Sequence, residues 1–528
     1  MGTNAEAIAS VLADAGVEYM FGLPGGEVVA LLAACRSVGI QFYLTGHEAS
    51  AAFMADVTGQ ITGRPGVCVA TLGPGAMNLC LGVANAYLDR SPVLALTGQL
   101  STAVEPDMPH QRLPLTRIFS GMTKASVVVS GAGTDGLARA CLALAAEPPC
   151  GPVHLALPSN LATTPVAPGR GPELDAAPSP SGAGAALEEI GAMLAEAARP
   201  LLVVGIGCGV RDAPAVRAFV DRTGIPFLVT PKAKGILPED APGFLGVVGG
   251  MAIDRAVMET VDQADFLLGV GFDPVECDKT WYVGRRIANL ARAATAETSY
   301  RPVECLGSIA DHLARLGDGA PRATWPAEVL AAARARMRPT AGAGAPGALS
   351  PLAAVRTLRE ALPRETVLAC DVGSHKYFAG QFWQSYDPHT FFMSNGLSGM
   401  GYGVPAAIAA KLQFPARPAV ALVGDGGMMM MLHNLTFLRQ YDVPVVVVCF
   451  VDATLSLIRL AEERRGLDPY GVDFPAPEFA RIAGGFGIRG VTTKTLGELR
   501  DAVQKAVEAR EPAVVAVPVD INEYRAYC

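Results

Sequence analysis

Short apolar runs alternate with amphipathic stretches along most of the chain. Runs at 67–71 and 93–97 flank a helical pattern over 78–88, and another at 41–44 precedes an alanine-rich helical stretch opening at Glu48. This alternation predicts βαβ units wound around a parallel sheet. It resumes with strands at 201–205, 226–230 and 266–269, then at 366–370, 419–423, 443–451 and 513–517. Between these groups, 162–186 is rich in Pro, Gly, Ala and Ser, and 341–348 is almost wholly Ala, Gly and Pro; both read as linkers. The expected fold class is α/β, with three doubly wound parallel-sheet domains at 1–165, 187–335 and 350–528. No short-period repeat of the solenoid kind is present.

Composition narrows the function classes. The chain has 528 residues, more than one core accommodates, and half of them are hydrophobic, which excludes a disordered protein. The net charge of -8, with no basic tract of five or more, argues against a nucleic-acid binder. No window approaches the ~18 apolar residues of a membrane span. The first residues lack signal-peptide features, and neither Gly2 nor Cys528 stands in a lipidation motif. Eleven scattered cysteines, among them Cys68, Cys80 and Cys449, never form C-x-x-C and read as reduced core residues of a cytoplasmic protein.

Chemistry enters at Gly424-Asp425-Gly426-Gly427, where a buried strand ends in an acid between glycines, before a helix expected over 428–440. Ligands of open α/β sheets collect at the carboxyl ends of strands, where glycines and a helix N-terminus suit phosphate. An acid there repels a bare phosphate, and makes sense if a divalent cation such as Mg²⁺ lies between them. Asp452 follows the next apolar strand, so both acids could share one cation; the alternative is that each only caps a turn.

Gly424-Asp425-Gly426, then 25 residues, then Asp452 resembles the motif of thiamine diphosphate-dependent enzymes. The resemblance extends over essentially the whole chain and looks nearest to acetolactate synthases, especially the catabolic, flavin-independent type. It implies pyrimidine-binding, middle and diphosphate-binding domains in that order. It also implies that Asp425, Asp452 and the Thr454 carbonyl hold Mg²⁺, with Gly424, Gly426 and Gly427 near the diphosphate. Asp371-Val372-Gly373-Ser374-His375 looks like the family's diphosphate turn, which makes Gly373, Ser374 and His375 cofactor residues.

His47-Glu48 matches the family's His-Glu-x-x-Ala motif, in which the Glu binds N1′ of the cofactor's aminopyrimidine; read alone, Glu48 could be a first-turn acid on the helix dipole. Ser394 to Gly401 resembles the loop that bends the cofactor, with Met400 as the wedge and the Ser398 carbonyl accepting from the 4′-amino group; alone, Met400 reads as core filler. Gly73-Pro74-Gly75-Ala76-Met77-Asn78 resembles the Gly-Pro-Gly-Ala-x-Asn signature and places Asn78 near the cofactor, although the turn could be purely structural. Pro24-Gly25-Gly26 occupies the place where several decarboxylases carry a proton-handling side chain. His110-Gln111 matches a His-Gln of catabolic relatives, which makes Gln111 a catalytic candidate, with solvent exposure as the alternative. Leu457 and Ile458 stand where decarboxylases carry a Glu, suiting a dry donor pocket and tilting the reading toward carboligation.

Gly205-Ile206-Gly207-Cys208-Gly209 after a strand is a weak dinucleotide signal. Gly271-Phe272-Asp273-Pro274-Val275-Glu276 resembles catabolic relatives that lack flavin, so FAD is not expected. The resemblance further implies a homo-oligomer, at least a dimer and commonly a tetramer, with the Glu48 domain of one subunit facing the Asp425 domain of another. The expected activity is thiamine diphosphate- and Mg²⁺-dependent decarboxylation of a small 2-oxo acid, pyruvate first, with carboligation to a second carbonyl compound. The alternatives are a non-ligating decarboxylase or another acyloin-forming lyase.

Overall fold

The computed structural model describes residues 2–104, 107–169, 174, 183–249, 251–295 and 300–527. Cys528 and residues 170–173 and 175–182 of the 162–186 linker lie outside the described residues. The remainder divides into two compact units, one of Met1–Pro178, Leu397–Pro415 and Met431–Val443, the other of Ser179–Gly396, Ala416–Met430 and Pro444–Cys528.

Among the described residues, three six-stranded, all-parallel sheets carry the fold. The first comprises β1 (Tyr19–Leu23), β2 (Gln41–Leu44), β3 (Gly66–Ala70), β4 (Val93–Gln99), β5 (Ala125–Val128) and β6 (Pro152–Pro158), in the order β2-β1-β3-β4-β6-β5. The second comprises β7 (Pro200–Val204), β8 (Phe227–Val229), β9 (Phe244–Val247), β10 (Phe266–Val270), β11 (Ile287–Ala291) and β12 (Val303–Leu306), in the order β12-β11-β10-β7-β8-β9. The third comprises β13 (Val367–Cys370), β14 (Phe391–Met393), β15 (Ala419–Gly424), β16 (Val445–Val451), β17 (Arg489–Thr492) and β18 (Ala513–Pro518), in the order β14-β13-β15-β16-β18-β17. Counted from its own first strand, the third sheet repeats the order of the first. The middle sheet has the 3-2-1-4-5-6 order of the Rossmann fold.

Central strands are buried on both faces, which is why β3, β15 and β16 read as unbroken apolar runs rather than alternating ones. Helices cover the sheets and close separate cores, one around Ile8, Leu31, Val69 and Leu96, another around Leu352, Phe378, Leu422 and Val448. The Glu48–Thr62 helix is buried over most of its length, and its alanines permit close approach of the Pro74–Leu88 helix: a Cβ on Gly82 would lie 2.4 Å from that of Ala52.

One expected helix is corrected. The 428–440 stretch forms two helices, Asp425–Met430 and Asn434–Gln440, broken at Met431–His433. Inside the first unit, the break seats His433 against Gly46 and Ser50, and the Met431 side chain against Gly401. A continuous apolar pattern hides this interruption because the methionines suit either conformation.

Candidate active site

The first group of functional side chains stands at the carboxyl ends of β1 to β4. Glu48 opens its helix under His47, whose Nδ1 accepts from the Ala49 N–H as the N-cap. Glu48 is 4% exposed, and Asn78 Nδ2 donates to its Oε2 at 2.9 Å. Asn78 is thereby brought to the catalytic candidate's carboxylate, so it positions Glu48. The Gly73 turn (φ 60) starts the Asn78 helix, and a Cβ on Gly75 would lie 3.1 Å from Glu48 Oε1. Gln111, itself exposed and at φ 57, lies against Gly73. Pro24 is exposed after β1, and Gly25 packs on Thr71. Thr71 Oγ1 donates to Glu27 Oε2 at 2.5 Å, an acid the sequence reading passed over. Met400 is half-buried and Ser398 exposed, in a loop with φ 55 at Ser398 and 89 at Gly401.

The second group lies at the ends of β13, β15 and β16. Asp425 is 3% exposed and accepts backbone N–H bonds from Gly426 (2.8 Å), Ala453 (2.7 Å) and Asp452 (3.1 Å). These donors join the two strand ends and bring the acids together. Burial and the neighbouring Asp425 carboxylate push the Asp452 carboxyl up to about 7, and burial raises Asp425 as well. Such a pair is short of positive charge. Thr454 is buried, its N–H donating to Asp452 Oδ1 (3.2 Å) and its hydroxyl to the Val472 carbonyl (3.2 Å). Ser374 Oγ shares a 2.7 Å hydrogen bond with Ser456 Oγ, tying the β13 turn to the β16 turn.

His375 packs where Cβ atoms on Gly373 and Gly424 would meet its ring, at 2.8 and 3.3 Å. Its Nε2 is buried with no hydrogen-bond partner among the described residues; burial pulls its pKa down to about 4, against a hydrogen bond with the Asp371 backbone. Lys376, 7% exposed, adds a positive charge that lowers it further. Leu457 is half-buried and Ile458 is 53% exposed on the Ser456–Arg464 helix. Among the described residues no group of three or more His, Cys, Asp or Glu forms a metal cage. A cation at Asp425 and Asp452 therefore needs carbonyl and non-protein oxygens to complete its shell. The raised carboxylates, the glycines and the orphaned imidazole Nε2 fit a magnesium diphosphate.

The middle glycine turn has different chemistry. Gly205 N–H donates to the Val270 carbonyl (3.0 Å), Gly207 N–H to the Gly271 carbonyl (2.8 Å) and Ile206 N–H to Glu276 Oε2 (2.9 Å). The donors that would meet a dinucleotide phosphate are committed within the protein.

Comparison with known proteins gives the family. Three family models cover the chain: the thiamine pyrophosphate enzyme N-terminal TPP binding domain at residues 2–117, the central domain at 187–310 and the C-terminal TPP binding domain at 371–517. A probable chloroplastic acetolactate synthase 2 of Oryza sativa subsp. japonica is 30% identical, the alignment spanning 99% of this chain and 83% of that protein. The chain belongs to the thiamine pyrophosphate enzyme family. The acetolactate synthase of Bacillus subtilis is 28% identical over 98% of this chain and 94% of its own, and a catabolic acetolactate synthase of Raoultella terrigena is 28% identical over 98% and 95%. As a thiamine pyrophosphate-dependent, acetolactate synthase-like enzyme, the chain carries its two acid centres on sheets of one strand order. No helix among the described residues is long and apolar enough to cross a membrane.

Proposed function

We propose that this enzyme decarboxylates a small 2-oxo acid, pyruvate first, and ligates the remaining fragment to a second carbonyl compound, using thiamine diphosphate and Mg²⁺. The observation that carries the reading is the buried Glu48 carboxylate at a helix N-terminus, oriented by Asn78. When bound, thiamine diphosphate supplies the electron sink that makes loss of CO₂ possible. Glu48 would hold the proton at N1′ of the aminopyrimidine, with Asn78 fixing its carboxylate. Asp425, Asp452 and the Thr454 carbonyl would hold Mg²⁺, and Gly373, Ser374, His375, Gly424, Gly426 and Gly427 would cradle the diphosphate. Ser398 and Met400 would bear on the aminopyrimidine side, while Pro24, Gln111 and Leu457 would line the reacting end.

The domains proposed for these roles are 1–165, 187–335 and 350–528, in a cytoplasmic homo-oligomer that is at least dimeric. Flavin is not part of the proposal, in keeping with the committed donors of the Gly205 turn. Incubation with pyruvate, thiamine diphosphate and Mg²⁺ tests the reading by CO₂ release and product chromatography. Ligated product is expected; free acetaldehyde alone would overturn the carboligation, and unconsumed pyruvate would overturn the choice of donor.

A further inference from the structure

In the first sheet the chain turns to opposite sides from β1 and β3, which lie side by side. The crevice outside such a pair of strand ends is where open α/β sheets bind ligands. Glu27 and Thr71 meet there in a short, 2.5 Å hydrogen bond from the hydroxyl to the carboxyl group. Glycines let the chain close behind the pair: Cβ atoms on Gly25 and Gly98 would lie 2.4 Å from Thr71 Oγ1 and 2.8 Å from Glu27 Cβ. The neighbouring Gly26 is exposed, and a Cβ there would meet nothing within 4 Å. A Cβ on Gly75 would touch Thr71 Cγ2 at 2.8 Å and Glu48 Oε1 at 3.1 Å, so Thr71 stands between the two carboxylates. Among the described residues no cation pairs with half-buried Glu27.

We propose that Glu27 sets the acceptor class of the reaction, disfavouring a second 2-oxo acid and favouring a neutral carbonyl compound, best one whose hydroxyl can donate to the carboxylate. This rests on the decarboxylation and ligation proposed above. The donor's bond to its carboxyl carbon breaks, CO₂ departs neutral, and the electron pair stays with the two-carbon fragment. That pair forms the new C–C bond to the acceptor carbonyl carbon, whose oxygen takes a proton. Repulsion between Glu27 and the donor is therefore relieved as the donor sheds its charge. An oxo-acid acceptor keeps its carboxylate into the product, and its repulsion persists through binding and bond formation.

The test is a competition between equimolar pyruvate and glycolaldehyde as acceptors, with pyruvate as donor, resolved by chromatography. The wild-type enzyme should favour the neutral hydroxyketone over acetolactate by about tenfold or more. Glu27→Gln should move that ratio about tenfold toward acetolactate, and Glu27→Asp, which keeps the charge, should retain the preference. Acetolactate as the favoured wild-type product, or a ratio unmoved in Glu27→Gln, would overturn the inference while leaving decarboxylation intact. No pyruvate consumption would bring down both.

Discussion

The first and third sheets share one strand order, yet corresponding strand ends carry different groups. Beyond the first and third strands of the first sheet lie Glu27 and Thr71; beyond those of the third lie Gly373, His375, Gly424 and Asp425. The first crevice pairs an acid with a hydroxyl, which suits a small polar organic group. The other has glycines, paired acids and an imidazole with one unpartnered nitrogen, which suit a charged phosphate and its metal. In the middle sheet the matching crevice, between the ends of β7 and β10, is filled by Glu276. Topology supplies the place; a few residues decide whether it binds an anion, handles a proton or stays shut.

The largest expected effect separates the acids of the two like sheets. Glu48→Gln should lower kcat by ~10²–10⁴-fold, the usual worth of a placed proton-transfer group, with thiamine diphosphate still retained. Asp425→Asn should instead release the cofactor on dialysis, because the proposed Mg²⁺ and the diphosphate would depend on each other there. Turnover and retained cofactor, measured together, check the contrast. Loss of cofactor from both variants would erase the division of labour.

Next comes the plugged middle crevice. Glu276 is 3% exposed, and burial pushes its carboxyl up to about 7 against the bonds it accepts from Thr230 Oγ1 (2.7 Å), Ile206 N–H (2.9 Å) and Lys232 N–H (3.0 Å). A folded pKa above the unfolded value means that the folded state holds the proton more tightly. Stability from this group should therefore be greatest below about pH 4.5, fall as pH rises to about 7, and level off above it, a span of about 3 kcal/mol. Urea unfolding of the wild type and Glu276→Gln at pH 5, 6 and 8 checks this. The variant should lose that pH-dependent component, and parallel pH profiles would remove the special character of the middle crevice.

The fold was legible because central parallel strands announce themselves as apolar runs and the crossover helices as amphipathic ones. Strand ends shifted by only a residue or two, as at β3 and β7. Asp425 and Asp452 could be found because a short acid-and-glycine turn after a strand is a local signal. Glu27 could not: its partner Thr71 is 44 residues away, and nothing around Gly25 marks an acid that faces another strand. Asn78 was seen, but its bond to Glu48 depends on how two helices cross. The break at Met431–His433 was hidden because Met428 to Met431 keep apolar character through a change of direction.

The smallest expected effect concerns the backbone that holds each centre. Gly73, after β3, has φ 60 and carries no penalty, whereas Ala453, after β16, has the same φ with a methyl group. The left-handed region brings a Cβ close to the carbonyl oxygen, at a cost of about 1 kcal/mol. Ala453 is held there because its N–H donates to Asp425 Oδ2 and its carbonyl accepts from Phe474 N–H at 3.1 Å. Ala453→Gly should therefore raise stability by about 1 kcal/mol, less what glycine adds to the freedom of the unfolded chain. Gly73→Ala should do the reverse by more, since its Cβ would also lie 3.1 Å from that of Gln111. Paired urea titrations read both signs. A destabilised Ala453→Gly would mean that the methyl group's packing outweighs its backbone strain, and that the Ala453 turn, unlike the Gly73 turn, has no use for glycine.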